Sequence, residues 1–275
     1  LASLWGIAML LRVAVRERRD SKGPTWHAWS VLAAFGAALP GQIALLCFLY
    51  SLDPACLMFA NRIGLNLFLM PVFLTVAHRM LPFFAANAVQ GYRPWRPFWL
   101  LGCIWAGVAS LSLGELMAVP ALRGGGAALL TVLTSLMVWK WWPRGKAPAL
   151  LWVLVIGFVW APVGYALALL DSTGIWLGRA PDHALTIGVA GSMVVAMVTR
   201  VTQGHSGRPL TLPVAGYIAF AGVQLAALIR IGAAFAGEQT GILVVSSAIM
   251  VITLTPWTVR NALIYLRARL DGKAG

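Results

Sequence analysis

The sequence predicts an all-α fold: a polytopic transmembrane helix bundle of about eight complete spans plus one partial span. Three observations predict it. Apolar residues make up 60% of the 275 positions and charged residues only 11%, whereas a soluble domain carries roughly a quarter charged residues; so much apolar surface needs lipid as its solvent. Apolar runs of about 20 residues, enough at 1.5 Å per residue to cross roughly 30 Å of hydrocarbon, recur from one end of the chain to the other. Lysine and arginine punctuate these runs and fall on alternate sides of them.

Taken in order, the first apolar run covers residues 1–15, "LASLWGIAMLLRVAV". Arg16, Arg18 and Arg19 follow it, whereas a signal peptide carries its basic residues ahead of its apolar stretch. The run reads as the tail of a spanning helix, in a protein expected to extend further upstream. The break "RDSKGPT" leads into a span at 28–50, which contains no charged residue. The next, at 55–78, carries Asn61, Arg62 and Asn66 and ends in "HRMLPFF". "GYRPWRP" separates it from 98–119, which holds Glu115. "LRGGG" is the next break, before 124–142; "WWPRGKAP" precedes the uncharged 147–170. After "DSTGIWLGRAP" comes 182–203, after "HSGRPLTLP" comes 211–235 with Gln224 and Arg230, and after "AGEQTG" comes 241–265. Glycine, proline and small polar residues make each break a turn. No soluble segment or internal repeat interrupts the pattern, so residues 1–275 are expected to form a single integral-membrane helical domain.

Alternate loops sort the basic residues. One side collects Arg12, Arg16, Arg18, Arg19, Lys22, Arg79, Arg93, Arg96, Lys140, Arg144, Lys146, Arg200, Arg208, Arg260, Arg267, Arg269 and Lys273. The other has only Arg123 and Arg179, with Asp53, Asp171, Asp182 and Glu238. The positive-inside rule then places the C-terminus in the cytoplasm. The net charge of +13 is thereby a matter of topology, with membrane lipid as the partner and no nucleic acid. Trp95, Trp99, Trp139, Trp141, Trp142, Trp176 and Trp257 sit near span ends, where amphipathic rings anchor in the headgroup region. Cys47, Cys56 and Cys103 show no paired or metal-ligand spacing and are read as small hydrophobes. Phosphate-loop, serine-triad and zinc motifs are absent from the sequence.

Polar groups inside lipid need a partner or a task. Glu115, Arg62 and Arg230 fall at similar depth toward the outer side, so a pairing of Glu115 with Arg62 or Arg230 would hold these charges. The same residues support an alternative reading of the chain as a secondary transporter or channel with a polar path. Histidine carries the other line of argument, because imidazole is a common ligand of haem iron and copper. His183 opens the 182–203 span after Asp182, and His205 follows it in "GHSGR". About 22 residues of helix set them roughly 33 Å apart, so they cannot share one iron. His183 reads either as an axial ligand or as an interfacial helix cap. The loop around His205 offers Ser206 and a forked guanidinium from Arg208 to an anionic group, or else forms an ordinary basic turn. His78 is expected to be an interfacial histidine and His27 a solvated residue of the basic loop. Ala184, Gly188, Ala190, Gly191 and Ser192 give this helix a small-residue flank, where a neighbouring helix or a flat macrocycle could approach closely. Met193 and Met197 share a face and read as packing.

His183-Ala184, Gly188, Gly191, Met197, Thr199-Arg200 and the turn Gly204-His205-Ser206-Gly207-Arg208 resemble the NnrS family. Arg79, Pro82, Phe83 and Phe84 look like a second element of that family. These are bacterial inner-membrane haem and copper proteins linked to the nitric oxide response. The resemblance sets this chain as the C-terminal two thirds of the family's length, the remainder carrying a Trp-His-x-His-Glu-Met element. It implies a haem protein that relieves nitrosative stress, with haem b and copper as candidate cofactors and nitric oxide as a candidate partner, the electron donor being unknown. His183 and His205 are then the candidate metal ligands, with Arg79, Arg200 or Arg208 beside a haem propionate. Whether the chain catalyses a reaction is left open by the resemblance.

Overall fold

The structure, a computed structural model, describes residues 2–20, 23–236, 240–270 and 272. Leu1, Lys22, Glu238 and Lys273, which enter the span and topology reading above, lie outside the described residues. Among the described residues there are nine long helices and no strand. They are α1 (Ala2–Asp20), α2 (Trp26–Ser51), α3 (Pro54–Ala88), α4 (Trp99–Leu116), α5 (Pro120–Trp141), α6 (Ala149–Ser172), α7 (Ala180–His205), α8 (Val214–Phe235) and α9 (Thr240–Tyr265). Eight of them, α2 to α9, are long and apolar enough to cross a membrane.

Helix ends and apolar-run ends do not coincide. α3 runs through Pro82 to Ala88, ten residues beyond the predicted end at 78. α1 likewise continues through Arg16, Arg18 and Arg19. The hydrogen-bond ladder needs only helical backbone angles, so a helix goes on past the apolar run until a turn stops it. Two interior segments, Gly64–Leu69 in α3 and Ala184–Gly191 in α7, are wound as wider π turns.

The start of α5 overturns one reading. "LRGGG" was expected to be a break, yet Gly124, Gly125 and Gly126 are helical, and α5 begins at Pro120. The true turn is Met117–Val119. There Ala118 takes a left-handed φ of 53°, and Val119 N–H closes on Gly114 C=O at 2.8 Å. Proline suits a first helical position. Of these glycines Gly126 serves packing, since a side chain there would run into the Leu111 backbone, while Gly114 of α4 lies as close against Arg123. Glycine can therefore mark a close helix crossing as well as a turn.

The chain gathers into two compact units. The first comprises Leu1–Met80 and Trp95–Leu133, the second Leu81–Pro94 and Thr134–Gly275. In the first unit α2 packs on α3, with Phe35 and Phe68 edge to face at 5.0 Å, and Gly107 of α4 receives the Leu130 side chain. In the second unit α6 crosses α7 through small residues: Gly157 against Ser192, Gly164 against Leu185, Gly188 against the Trp160 ring. The small flank of α7 is thus occupied by helix α6 and, at Gly191, by Val223 of α8.

Candidate functional site

α7 carries both histidines singled out from the sequence. His183 closes its first turn, half-buried, with its N–H bonded to Arg179 C=O at 3.0 Å. His205 is its last residue and is exposed. One continuous helix separates them, so the structure does not bring them together. The turn beyond His205 is a Schellman motif: Arg208 N–H bonds Gln203 C=O at 2.9 Å and Gly207 N–H bonds Gly204 C=O at 3.3 Å. That closure requires a left-handed residue, and Gly207 supplies it at φ 69°. The Gly-His-Ser-Gly-Arg pattern is therefore a helix stop that fixes where Arg208 leaves the backbone. Leu270 N–H bonds Ser206 C=O at 3.1 Å, and Gln203 Nε2 donates to Thr211 C=O at 2.9 Å.

The three arginines have different settings. The Arg200 guanidinium lies 3.8 Å from the centroid of the Phe84 ring, a cation–π contact. It joins the two sequence elements that resemble the NnrS family. Thr199, next to it, accepts a 2.8 Å bond from Trp257 Nε1. Arg208 is half-buried, with Nη1 buried and unpartnered in the protein. Arg79 is exposed in the first unit, beside His78.

The histidines that do meet are His27 and His78. α2 starts at Trp26, which puts His27 in its first turn rather than in a solvated loop, and packing of α2 on α3 sets it against His78. His78 is fully buried. Nε2 of His27 lies 2.9 Å from Nδ1 of His78, and Nε2 of His78 lies 3.2 Å from Pro97 C=O. A carbonyl only accepts, so His78 Nε2 carries a proton. For two neutral rings one assignment remains: His78 Nδ1 accepts, His27 Nε2 donates, and His27 Nδ1 keeps a bare lone pair. The Phe98 ring meets His27 edge-on at 5.5 Å. A turn further along α2, Trp105 Nε1 donates to Ser30 Oγ at 2.8 Å, and Ser30 bonds Thr75 Oγ1 at 2.7 Å. At the foot of α2 a cavity of about 510 Å³ is lined by Arg18, Gly23, Pro24, Thr25, Trp26 and Trp29. No local signal marks His27 and His78, which are 51 residues apart; only tertiary packing joins them.

Glu115 is held differently from the expectation. Its carboxylate accepts from Asn66 Nδ2 at 2.9 Å and pairs with Arg123 Nε at 3.5 Å. Arg62 donates instead to the Glu115 backbone carbonyl at 3.2 Å. Arg123 prevails because the Met117–Val119 turn folds it straight back onto the end of α4. Arg230 belongs to the second unit. In that unit Gln224 links Trp160 Nε1, at 2.7 Å, to Ser192 Oγ, at 2.6 Å.

Eight apolar helices and buried polar links of this kind define a multi-pass helical membrane protein. The family model described as NnrS protein matches residues 1–269, and the chain belongs to the NnrS family. Comparisons with curated proteins and with solved structures gave no match.

Proposed function

We propose that this NnrS-family chain is a haem-binding membrane protein of the nitric oxide response, acting in protection from nitrosative stress. The observation that carries the reading is the oriented imidazole of His27. A metal-ligating histidine characteristically donates its other ring N–H to an acceptor that fixes ring and tautomer, and His78 accepts in that way. Near His27, at the foot of α2, a cavity is walled by Trp26, Trp29 and Arg18, although His27 itself does not line it. His27 thus joins His183 and His205 as a candidate axial ligand, with Arg79 and Arg200 as candidate propionate partners alongside Arg208. Haem b, when bound, supplies an iron that takes nitric oxide as a ligand.

Copper fits less well. Two imidazoles meet at His27, but among the described residues no three of histidine, cysteine, aspartate and glutamate stand together, so no copper centre is assigned. The transporter reading loses its main support, since the Glu115 carboxylate is tied to Asn66 and Arg123.

The test is a reduced-minus-oxidised spectrum of the purified protein, with and without nitric oxide, for the parent and for His27→Ala, His183→Ala and His205→Ala. The expected result is a haem signal that shifts with nitric oxide and disappears in the folded His27→Ala variant. A folded parent protein without haem overturns the reading. Loss only in His183→Ala or His205→Ala moves the ligand to α7.

A further inference from the structure

At the C-terminal end of α7, a cavity of about 420 Å³ is lined by Arg208, Pro256, Val259, Arg260, Leu263, Ile264 and Arg267. The lining residues of α9 recur at helical spacing, so one stripe of that helix faces the Schellman turn that delivers Arg208. Three guanidinium groups line this cavity, and among the described residues no carboxylate lines it. Arg208 Nη1 is buried without a protein partner. Among the described residues Arg260 reaches Asn261 Oδ1 alone, at 3.4 Å, and the Nδ2 of the buried Asn261 is also unpartnered. Like charges gathered around one cavity repel each other unless an anion enters.

We propose that this cavity binds the phosphate of an anionic phospholipid headgroup. Guanidinium groups grip phosphate oxygens through forked, charge-assisted hydrogen bonds, and basic pockets between spanning helices are suited to anionic lipid heads. The surface beyond the arginines favours a lipid over a free anion. Val251, Ile252, Val259 and Leu263 are exposed along α9, a continuous apolar track for acyl chains next to the basic pocket. The site shares Arg208 with the haem reading, as a candidate propionate partner, whereas Arg260 and Arg267 belong to this cavity alone.

The experiment uses the whole chain, purified in a neutral detergent. Short-chain phosphatidylglycerol, short-chain phosphatidylcholine and inorganic phosphate are titrated separately, and binding is read by native mass spectrometry and by the shift in Tm. Phosphatidylglycerol is expected to bind and raise Tm, and phosphatidylcholine to do neither at the same concentration. Arg208→Gln, Arg260→Gln and Arg267→Gln are each expected to weaken phosphatidylglycerol binding about tenfold, while Arg93→Gln, outside the cavity, leaves it unchanged. Arg267 lies beyond the end of α9 and is exposed, so its variant keeps the helix packing and remains informative if another fails to fold. Equal binding of both lipids overturns the proposal. So does saturation by inorganic phosphate at the concentration where phosphatidylglycerol binds, which makes this a free-anion site. Haem content, read by absorbance in the same samples, separates failure here from failure of the haem reading.

Discussion

His27 and His78 show what a single residue can and cannot say about itself. Their types were visible in the sequence, but their pairing depends on α2 lying against α3 with a given rotation, a fact no local pattern encodes. His205 is the opposite case: its glycine-flanked turn was legible, because a left-handed cap selects glycine through local sterics alone. Gly207→Ala, strained at φ 69°, should cost about 1–2 kcal/mol, measured as a lower Tm in detergent. Gly125→Ala, at a helical position open to space, should be neutral or stabilising. Equal effects at the two sites would remove the cap from the explanation of the Gly-His-Ser-Gly-Arg pattern. Glu115 belongs at this scale too, since Asn66 and Arg123 use different carboxylate oxygens and an amide keeps an acceptor for only one of them. Glu115→Gln is expected to cost about 1–3 kcal/mol, and a stable, fully folded variant that had lost an ion flux would instead revive the transporter reading.

At the scale of elements, the apolar runs were legible because lipid demands about 20 apolar residues per crossing. Their ends were less so, because backbone hydrogen bonding ignores polarity. α3 passes Arg79 and α7 passes Arg200 before stopping. Of the family-like residues, Arg79, Pro82, Phe83 and Phe84 fall in the overhanging end of α3, where Arg200 lies over Phe84. The glycines of "LRGGG" misled for a related reason: the residue that permits a turn also permits a close crossing. Two contacts pin α9 to α7, Trp257 Nε1 on Thr199 and Thr202 Oγ1 on the Tyr265 hydroxyl at 2.9 Å. Trp257→Phe keeps a ring in place and removes the donor, so a loss of about 1 kcal/mol is expected, read by thermal unfolding. Tyr265→Phe removes only the outer bond, at a residue that is 59% exposed, and should cost less. The reverse order would show that the C-terminal turn, rather than the buried indole, fastens α9.

For the molecule as a whole, the constraint is parity. Eight crossing helices, α2 to α9, return the chain to the side from which α2 starts. If all eight cross, the arginines at the end of α1 are expected on the same side as Arg267 and Arg269, the arrangement that the charge pattern predicts. The basic residues of the other side, Arg123 and Arg179, sit at the α4–α5 and α6–α7 turns, which even spacing assigns to the opposite face. Each lysine or arginine near an anionic leaflet contributes about 1 kcal/mol to retention there, so the asymmetry outweighs any one misplaced charge. A single cysteine on a cysteine-free background makes the orientation measurable in intact cells with a membrane-impermeant thiol reagent. Gly174→Cys, in the α6–α7 turn, is expected to label from outside, whereas Arg93→Cys, in the α3–α4 loop, labels only after the membrane is opened. A reporter fused to the C-terminus should be active only as a cytoplasmic fusion. Labelling of position 93 from outside would invert every loop at once and overturn the expectation of a cytoplasmic C-terminus.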